Sequence, residues 1–178
     1  YPEENYDCNG NIIPYIGMQA FGGIVFYIDE SGQHGLVAAI EDLGWYQWGC
    51  YQQDVNGADL TEIGGGYQNT IDIIDYGCTS QNGDLVAAEA AVEYEYDGYN
   101  DWFLPSSEEL VLMYNSINDL VNGNLGSFYP YKYWSSTEFN VISNPLNDSN
   151  AWYVDFADGY GTGIAKFAEN KVRPIRSF

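Results

Sequence analysis

The most regular hydrophobic pattern lies in the middle of the chain, where an apolar run is followed directly by a helix signal. Residues 102–104 are apolar and stop at Pro105, which predicts a short buried strand before a new element. Ser106 and Glu109 have the spacing of a capping box, in which each side chain binds a backbone N–H at the start of a helix. Apolar residues then recur at helical spacing: Leu110, Met113, Tyr114, Ile117, Leu120 and Val121. The Asn-Gly pair at 122–123 predicts the end of this helix.

Shorter patterns on either side predict two more helices and several strands. Asn69 and Thr70 predict the start of a short helix that ends before Gly77, and Asp84 predicts the cap of an alanine-rich helix over residues 85–96. Apolar runs predict strands over residues 22–28, 36–40, 133–138, 151–156, 163–167 and 172–178. The first two runs are joined by a polar turn, as in a β-hairpin. The sequence therefore predicts a domain of mixed helix and strand.

The length of 178 residues predicts one domain. Residues 1–17 have no apolar periodicity, and we interpret them as a linker or as the tail of a preceding module rich in Cys and Asp. The domain itself is expected over residues 18–178. The chain begins with Tyr1 and shows no signal-peptide pattern, so we interpret it as a processed piece of a longer protein.

The charge of the chain restricts its partners. Only 5 residues are Lys or Arg against 26 that are Asp or Glu, which gives a formal net charge of −21. Nucleic acid and anionic membranes both require basic residues, so neither is an expected partner. No apolar run approaches the roughly 20 residues that span a bilayer, so membrane insertion is not expected. The acidity favours solubility in a salty medium, or alternatively binding of Ca²⁺.

Three polar turns carry oxygen donors that are candidates for a calcium site. The first is the turn around Asp29, the second contains Asp54, Asn56 and Asp59, and the third is the Asn-Asp pair at 147–148. None of them has the full ligand pattern of an EF-hand. Because several carboxylates held together repel one another without a cation, we expect any bound Ca²⁺ to occupy oxygen-only sites in these turns.

The three cysteines predict one disulfide. Cys50 and Cys78 each follow an aromatic-Gly step and flank one polar loop, so we predict that they pair, whereas Cys8 lies in the tail and is expected to pair outside this fragment. The alternative is three buried thiols in a reducing compartment. A disulfide between Cys50 and Cys78 indicates an exported protein.

No pattern in the chain indicates catalysis. Ser106 and Ser107 lie at a helix start rather than in a nucleophile motif, and the single histidine, His34, is expected to be an exposed turn residue. Paired carboxylates are expected by chance among so many acids, so they do not indicate a glycosidase. Arg173 and Arg176 are expected to pair with carboxylates rather than to contact a ligand. We therefore expect a protein that is not an enzyme.

A set of ordered motifs resembles one bacterial domain family. The motifs are the run at 22–28, His34-Gly35 with the apolar run after it, Trp48-Gly49-Cys50, the segment from Ile63-Gly64 to Asn69-Thr70, the segment from Gly98 through the Trp-Phe-Leu-Pro-Ser run, Tyr133-Trp-Ser-Ser-Thr-Glu138, Ala151-Trp152 and the closing run at 172–178. They resemble the Lcl C-terminal-like family, named for the C-terminal domain of a collagen-like bacterial adhesin. The resemblance extends over about residues 20–178.

This resemblance implies an α+β, C-type-lectin-like fold with mixed or antiparallel sheets, two or three helices and long loops, distantly similar to formylglycine-generating enzymes. It also implies that early and late strands pair. The cysteines used by the oxidase relatives are absent after Cys78, so their chemistry is not expected here. The founding adhesin domain binds sulfated glycosaminoglycans, but this chain has almost no basic residues to meet sulfates, so we expect a different ligand.

The resemblance implies an extracellular or cell-surface recognition module that binds a glycan or a protein on a cell or particle surface. In such a fold the loops between the late strands form the recognition surface. We therefore predict that the ligand contacts Phe139, Asn144, Asn147, Asp148, Asn150, Asp158 and Tyr160, with Tyr129 and Tyr131 as further candidates. The alternative function is a structural module that self-associates in a surface filament or stalk.

Overall fold

The computed structural model describes residues 6–118, 123–139 and 147–178, and within them the chain forms two sheets and three α-helices. The strands are β1 Gln19–Ala20, β2 Gly23–Ile28, β3 Gly35–Ala38, β4 Trp45–Gln47, β5 Lys132–Glu138, β6 Asn150–Asp155, β7 Gly161–Ala165, β8 Glu169–Lys171 and β9 Ile175–Ser177. The helices are α1 Gly65–Tyr76, α2 Ala87–Val92 and α3 Ser107–Met113, and a π-helical turn at Tyr114–Asn118 continues α3. This architecture confirms the α+β prediction. No helix among these residues is long and apolar enough to cross a membrane.

The smaller sheet joins the two ends of the domain. Its order is β1-β2-β3-β9, and all neighbours are antiparallel. The predicted hairpin is present as β2 and β3, with a register shift between Val25 and Tyr27. The last strand pairs with β3 through Val37 and Arg176, so the predicted pairing of early and late strands is confirmed.

The larger sheet has the order β4-β8-β5-β6-β7. Its pairs are antiparallel except for β5 and β8, which run parallel. One end of the sheet holds Trp45, Lys132 and Gly161, and we call it the Trp45 end. The opposite end holds Glu138 and Ala165, and we call it the Glu138 end.

Three fully buried tryptophans anchor the core. Trp48 and Trp134 belong to the cluster between α1, α2 and the larger sheet, and Trp102 packs under the smaller sheet. Each indole N–H finds a backbone carbonyl: Trp48 donates to Ser135 at 2.9 Å, Trp134 to Tyr46 at 2.8 Å and Trp102 to Tyr99 at 3.1 Å. These bonds remove the cost of burying the polar edge of each ring.

The predicted start of the first helix is wrong. The helix α1 begins at Gly65, and its cap is Gly64 in a left-handed conformation. Asn69 and Thr70 lie buried inside the helix, where Asn69 binds Leu60 of the preceding loop at 2.7 and 3.1 Å. A tertiary contact therefore uses the side chain that resembled a cap. The helix ends at Gly77 as predicted.

The second helix is shorter than predicted. It begins after Val86, so Asp84 does not cap it, and the Val86 N–H is satisfied by Glu89 at 2.8 Å. It ends at Val92 rather than at residue 96.

The central capping box is confirmed. Ser106 accepts the Glu109 N–H at 3.2 Å, and Glu109 accepts the Ser106 N–H at 2.7 Å. The strand predicted over 102–104 is wrong, because only Phe103 forms a bridge, to Ile175. Leu120, Val121 and Asn122 lie outside the described residues.

The late strands are present with shifted ends. The strand predicted over 163–167 forms two residues earlier, as β7, and the run predicted over 172–178 forms β9 only from Ile175. Before that strand the chain leaves the sheet, and Arg173 turns inward to bind Asp42. The strand β4 was not predicted from the sequence, and it has only three residues.

Candidate ligand-binding surface

The predicted ligand residues lie at opposite ends of the larger sheet. Phe139 and Asn150 lie at the Glu138 end, with Asp148 in the 3-10 turn Asn147–Ser149 beside them. Asp158 and Tyr160 lie in the turn between β6 and β7, at the Trp45 end. Since β5 has seven residues, the two groups are separated by roughly 20 Å of strand. Asn144 lies outside the described residues.

At the Glu138 end, Phe139 packs against residues of the larger sheet. The Phe139 ring contacts Trp152 edge-on, with 4.9 Å between the ring centroids. The Phe139 ring also lies against Gly163, where an added Cβ would be only 2.3 Å from the ring. The Phe139 N–H binds the Asn150 carbonyl at 3.1 Å. These contacts show that Phe139 fixes the base of the loop between β5 and β6.

The Trp45 end carries exposed aromatic rings that contact one another. Trp45 and Tyr131 have centroids 5.1 Å apart, and Tyr131 and Tyr129 stack at 5.8 Å with 26° between their planes. The exposed fractions are 47% for Trp45, 42% for Tyr131 and 61% for Tyr129. We call these three residues the aromatic platform. Tyr160, which is 62% exposed, lies at the same end of the sheet.

Sheet order creates the platform. Trp45 pairs across the sheet with Lys171, and Lys171 lies beside Tyr133 of β5. This order places Trp45 next to Tyr131, which precedes β5 and whose carbonyl accepts the Phe156 N–H at 2.9 Å. The sequence did not predict this contact, because the two rings are 86 residues apart in the chain.

A buried polar network holds the platform from below. The Tyr133 hydroxyl donates to Asp42 at 2.7 Å and accepts the Tyr129 N–H at 3.2 Å. Burial and the bond to Asp42 raise the pKa of Tyr133, so this hydroxyl keeps its proton at physiological pH. Asp42 is in turn bound by Arg173. Buried partners therefore hold the backbone from which Tyr129 projects.

Every basic side chain lies over an aromatic ring. The pairs, with the distance from the cation to the ring centroid, are Lys132 and Tyr153 at 4.7 Å, Lys166 and Trp48 at 4.6 Å, Lys171 and Trp45 at 5.0 Å, Arg173 and Phe128 at 4.1 Å, and Arg176 and Tyr99 at 3.9 Å. These five are all the Lys and Arg residues of the chain. The predicted pairing of Arg173 and Arg176 with carboxylates is confirmed by their contacts with Asp42 and Asp101.

A fully buried ion pair lies at the Glu138 end. The carboxylate of Glu138 and the ammonium of Lys166 are in contact, and neither side chain is exposed. Lys166 also donates to the Gln53 carbonyl at 2.7 Å. Burial raises the pKa of Glu138 to about 7 and lowers the pKa of Lys166. Sequence reasoning missed this pair because Lys166 lies within the run 163–167, which predicts only a strand.

The neighbouring motif residues are structural. Ser135 binds the Trp152 carbonyl at 3.0 Å, Ser136 binds the Pro105 carbonyl at 3.1 Å and Thr137 binds the Leu60 carbonyl at 2.8 Å. These bonds attach β5 to the strand beside it and to the loops above it. The Tyr-Trp-Ser-Ser-Thr-Glu motif therefore positions elements of the fold.

Two of the three candidate calcium turns lie near Lys166, because Asp54 and Asp148 both act to raise its pKa against the effect of burial. Asp29 accepts the Ser31 N–H and hydroxyl at 3.0 and 2.5 Å, which lowers the pKa of its carboxyl. The Asp54 carboxyl lies near Glu138 and raises the pKa of that group. In the part of the chain that the structure describes, no three or more Asp, Glu, His or Cys side chains come together in a way that could hold a metal. Calcium binding at the turn around Asp29, at Asp54, Asn56 and Asp59, or at the Asn-Asp pair 147–148 stays a prediction.

The disulfide between Cys50 and Cys78 is present as predicted, and Cys8 is exposed and free. The aromatic-Gly step before each cysteine has a steric reason. Gly49 and Gly77 both have positive φ, and a Cβ at Gly49 would lie 2.6 Å from Val86. The bridge joins the loop after β4 to the end of α1.

A separate cleft of about 680 Å³ lies between the tail and the turn after β2. Its walls include Ile12, Ile13 and Phe21, with Asp7 and Ser31 at the rim. The Asp7 carboxylate is occupied by the N–H groups of Asn9 and Asn11, both at 2.8 Å. This cleft holds none of the predicted ligand residues.

Two comparisons with known proteins bear on identity. The family model described as the Lcl C-terminal domain matches residues 43–176. A search of curated proteins finds no match. The family match begins just before β4 and includes the whole larger sheet, the aromatic platform and the buried ion pair.

Proposed function

The chain belongs to the Lcl C-terminal domain family, and from this membership we propose that it is a non-catalytic recognition module of a bacterial surface adhesin that binds a neutral glycan through the aromatic platform. Family membership indicates a surface-associated, adhesin-like domain. The glycan, and the platform as its binding site, are our proposal.

The observation that carries the proposal is the platform itself. Three exposed rings form a row at the end of a sheet, with Tyr131 in contact with both Trp45 and Tyr129, and a buried network holds the backbone of Tyr129. Exposed aromatic residues held rigid by a scaffold offer flat apolar contact at low entropic cost. Sugar rings present C–H faces that suit such contact, and hydroxyl groups that suit the phenol groups of Tyr129 and Tyr131.

The charges of the chain favour a neutral ligand. All five cations lie over rings of the protein, and three of them also bind carboxylates. The remaining acidic residues give the surface a strong negative field, because the net charge is −21. This negative field would repel a sulfated polysaccharide, and both guanidinium groups are already bound to carboxylates of the protein. We therefore propose that the ligand is an uncharged saccharide.

The disulfide supports an extracellular location. Disulfides persist in oxidising compartments and are rare in the cytosol. The bridge between Cys50 and Cys78 is buried in the core beside Trp48 and Val86, as in a structural disulfide.

A glycan array tests the proposal. We expect the purified domain to bind a narrow set of neutral glycans, with no dependence on sulfate. Retention of sulfated glycans alone would contradict it. If the domain binds no glycan on the array and light scattering shows self-association, the alternative function, a structural module of a filament or stalk, would be supported instead.

A further inference from the structure

The buried pair at the Glu138 end has the arrangement of a covalent cross-link site. Glu138 is the last residue of β5, and Lys166 directly follows β7. These two strands flank β6, so the pair connects β5 and β7 across the strand between them. Both side chains are completely buried, and the Lys166 Nζ atom contacts the Glu138 carboxyl group.

The backbone at both residues is fixed. The Glu138 N–H binds the Ala58 carbonyl at 2.7 Å, and the Lys166 N–H binds the Ser149 carbonyl at 2.8 Å. The Lys166 amine is further held by the Gln53 carbonyl at 2.7 Å and by the ring of Trp48. The carboxyl group accepts the Val55 N–H at 3.2 Å. Reacting groups held in this way have effective concentrations on the order of 10⁵ M or more.

The surroundings favour the neutral forms that condensation requires. Burial raises the pKa of Glu138 and lowers the pKa of Lys166, which moves both groups toward the carboxylic acid and the free amine. The neighbouring Asp54 carboxyl also raises the pKa of Glu138.

We propose that Glu138 and Lys166 condense to form an intramolecular isopeptide bond. The lone pair of Nζ attacks Cδ of the protonated carboxyl group, and the Nζ–Cδ bond forms. The Cδ–OH bond then breaks, and the hydroxyl leaves with one Nζ proton as water. No oxidant, reductant or metal is needed, and one neutral amide takes the place of the buried carboxyl group and the buried amine.

The bond would tie β5 to β7 across β6 at the base of the loop between β5 and β6. Its two ends are 28 residues apart in sequence. An adhesin is pulled by the surface to which it binds, and a covalent tie between these strands would prevent the sheet from opening there.

Mass spectrometry of the wild-type protein tests the bond. We expect the denatured and reduced protein to be lighter than its sequence mass by one water molecule. Trypsin should then fail to cut after Lys166 and should release residues 133–171 as one peptide that lacks one water. A protein of full sequence mass that trypsin cuts after Lys166, even after prolonged incubation in the folded state, would overturn the proposal.

The variant K166R separates this bond from other losses of water. An Asp-Gly succinimide at 158–159 would also remove one water, but it would persist in K166R. We expect K166R to have its full sequence mass, because a guanidinium group does not condense with a carboxyl group. Loss of water in K166R would overturn the assignment to Lys166. If K166R does not fold, fragmentation of the wild-type peptide 133–171 in the mass spectrometer locates the lost water. Only the isopeptide bond would give fragments in which Glu138 is joined to Lys166.

Discussion

The two arginines near the C-terminus should differ in their contribution to stability, because their carboxylate partners differ in exposure. Arg173 binds Asp42, whose side chain is 6% exposed, and Arg176 binds Asp101, whose side chain is 54% exposed. Each arginine also bonds backbone carbonyls and lies over a ring. Substitution of each by methionine keeps most of the apolar contact and removes the charge.

The magnitude follows from what each substitution leaves behind. R173M leaves a buried carboxylate at Asp42 and two carbonyls, those of Ala39 and Gly126, without their donor. Breaking a buried pair in this way costs about 3–5 kcal/mol. R176M leaves Asp101 free to be solvated, so we expect a cost of about 1–2 kcal/mol, mainly for the lost bond to the Phe21 carbonyl.

Urea denaturation of the wild type and both variants measures the difference. The double variant D42N/R173M provides a control, because it removes the stranded charge while the amide still accepts from Tyr133. We expect this double variant to be more stable than R173M alone. Equal costs for R173M and R176M, or a double variant less stable than R173M, would refute the argument from burial.

Two further predictions concern the disulfide and a buried carboxyl group. The double variant C50S/C78S opens a loop of 28 residues and should lose about 3–4 kcal/mol of unfolding free energy in the loop-entropy model, and an unchanged melting temperature would contradict this. Burial raises the pKa of Glu109 above its usual 4.5, so the folded protein keeps a proton that the unfolded chain has released, and the stability from this group falls as pH rises above 4.5. Urea denaturation between pH 4 and 7 should show that the unfolding free energy falls less with rising pH in E109Q than in the wild type. Equal dependence on pH in the two proteins would refute this prediction.

The sequence correctly predicted those features of the fold that depend on contacts between residues close in the chain. Ser106 and Glu109 are three residues apart, and their capping box forms as predicted. Asn69 has the same chemistry as a cap, but its partners Leu60 and Ser136 come from a loop and a distant strand, so its place inside α1 was not predictable from neighbours. The start of α1 is set instead by the left-handed Gly64.

The predicted ligand surface also depends on contacts that the sequence alone does not reveal. Its residues are close in sequence, from Phe139 to Tyr160, but an antiparallel hairpin carries successive loops to opposite ends of its sheet. The aromatic platform has the reverse property, since Trp45 and Tyr131 are distant in sequence and adjacent in space. The pair of Glu138 and Lys166 is likewise visible only once the register of β5, β6 and β7 is known.

The affinity of the platform for its glycan tests the central claim most directly. A neutral glycan found on the array would be titrated against the wild type, the platform variant W45A/Y131A and the control Y76A, which removes an exposed tyrosine from α1. Loss of central aromatic contacts costs about 2 kcal/mol or more, so we expect the platform variant to bind about 30-fold more weakly and Y76A to bind like the wild type. Unchanged affinity in a folded W45A/Y131A protein would contradict the account, because the ligand would then bind elsewhere.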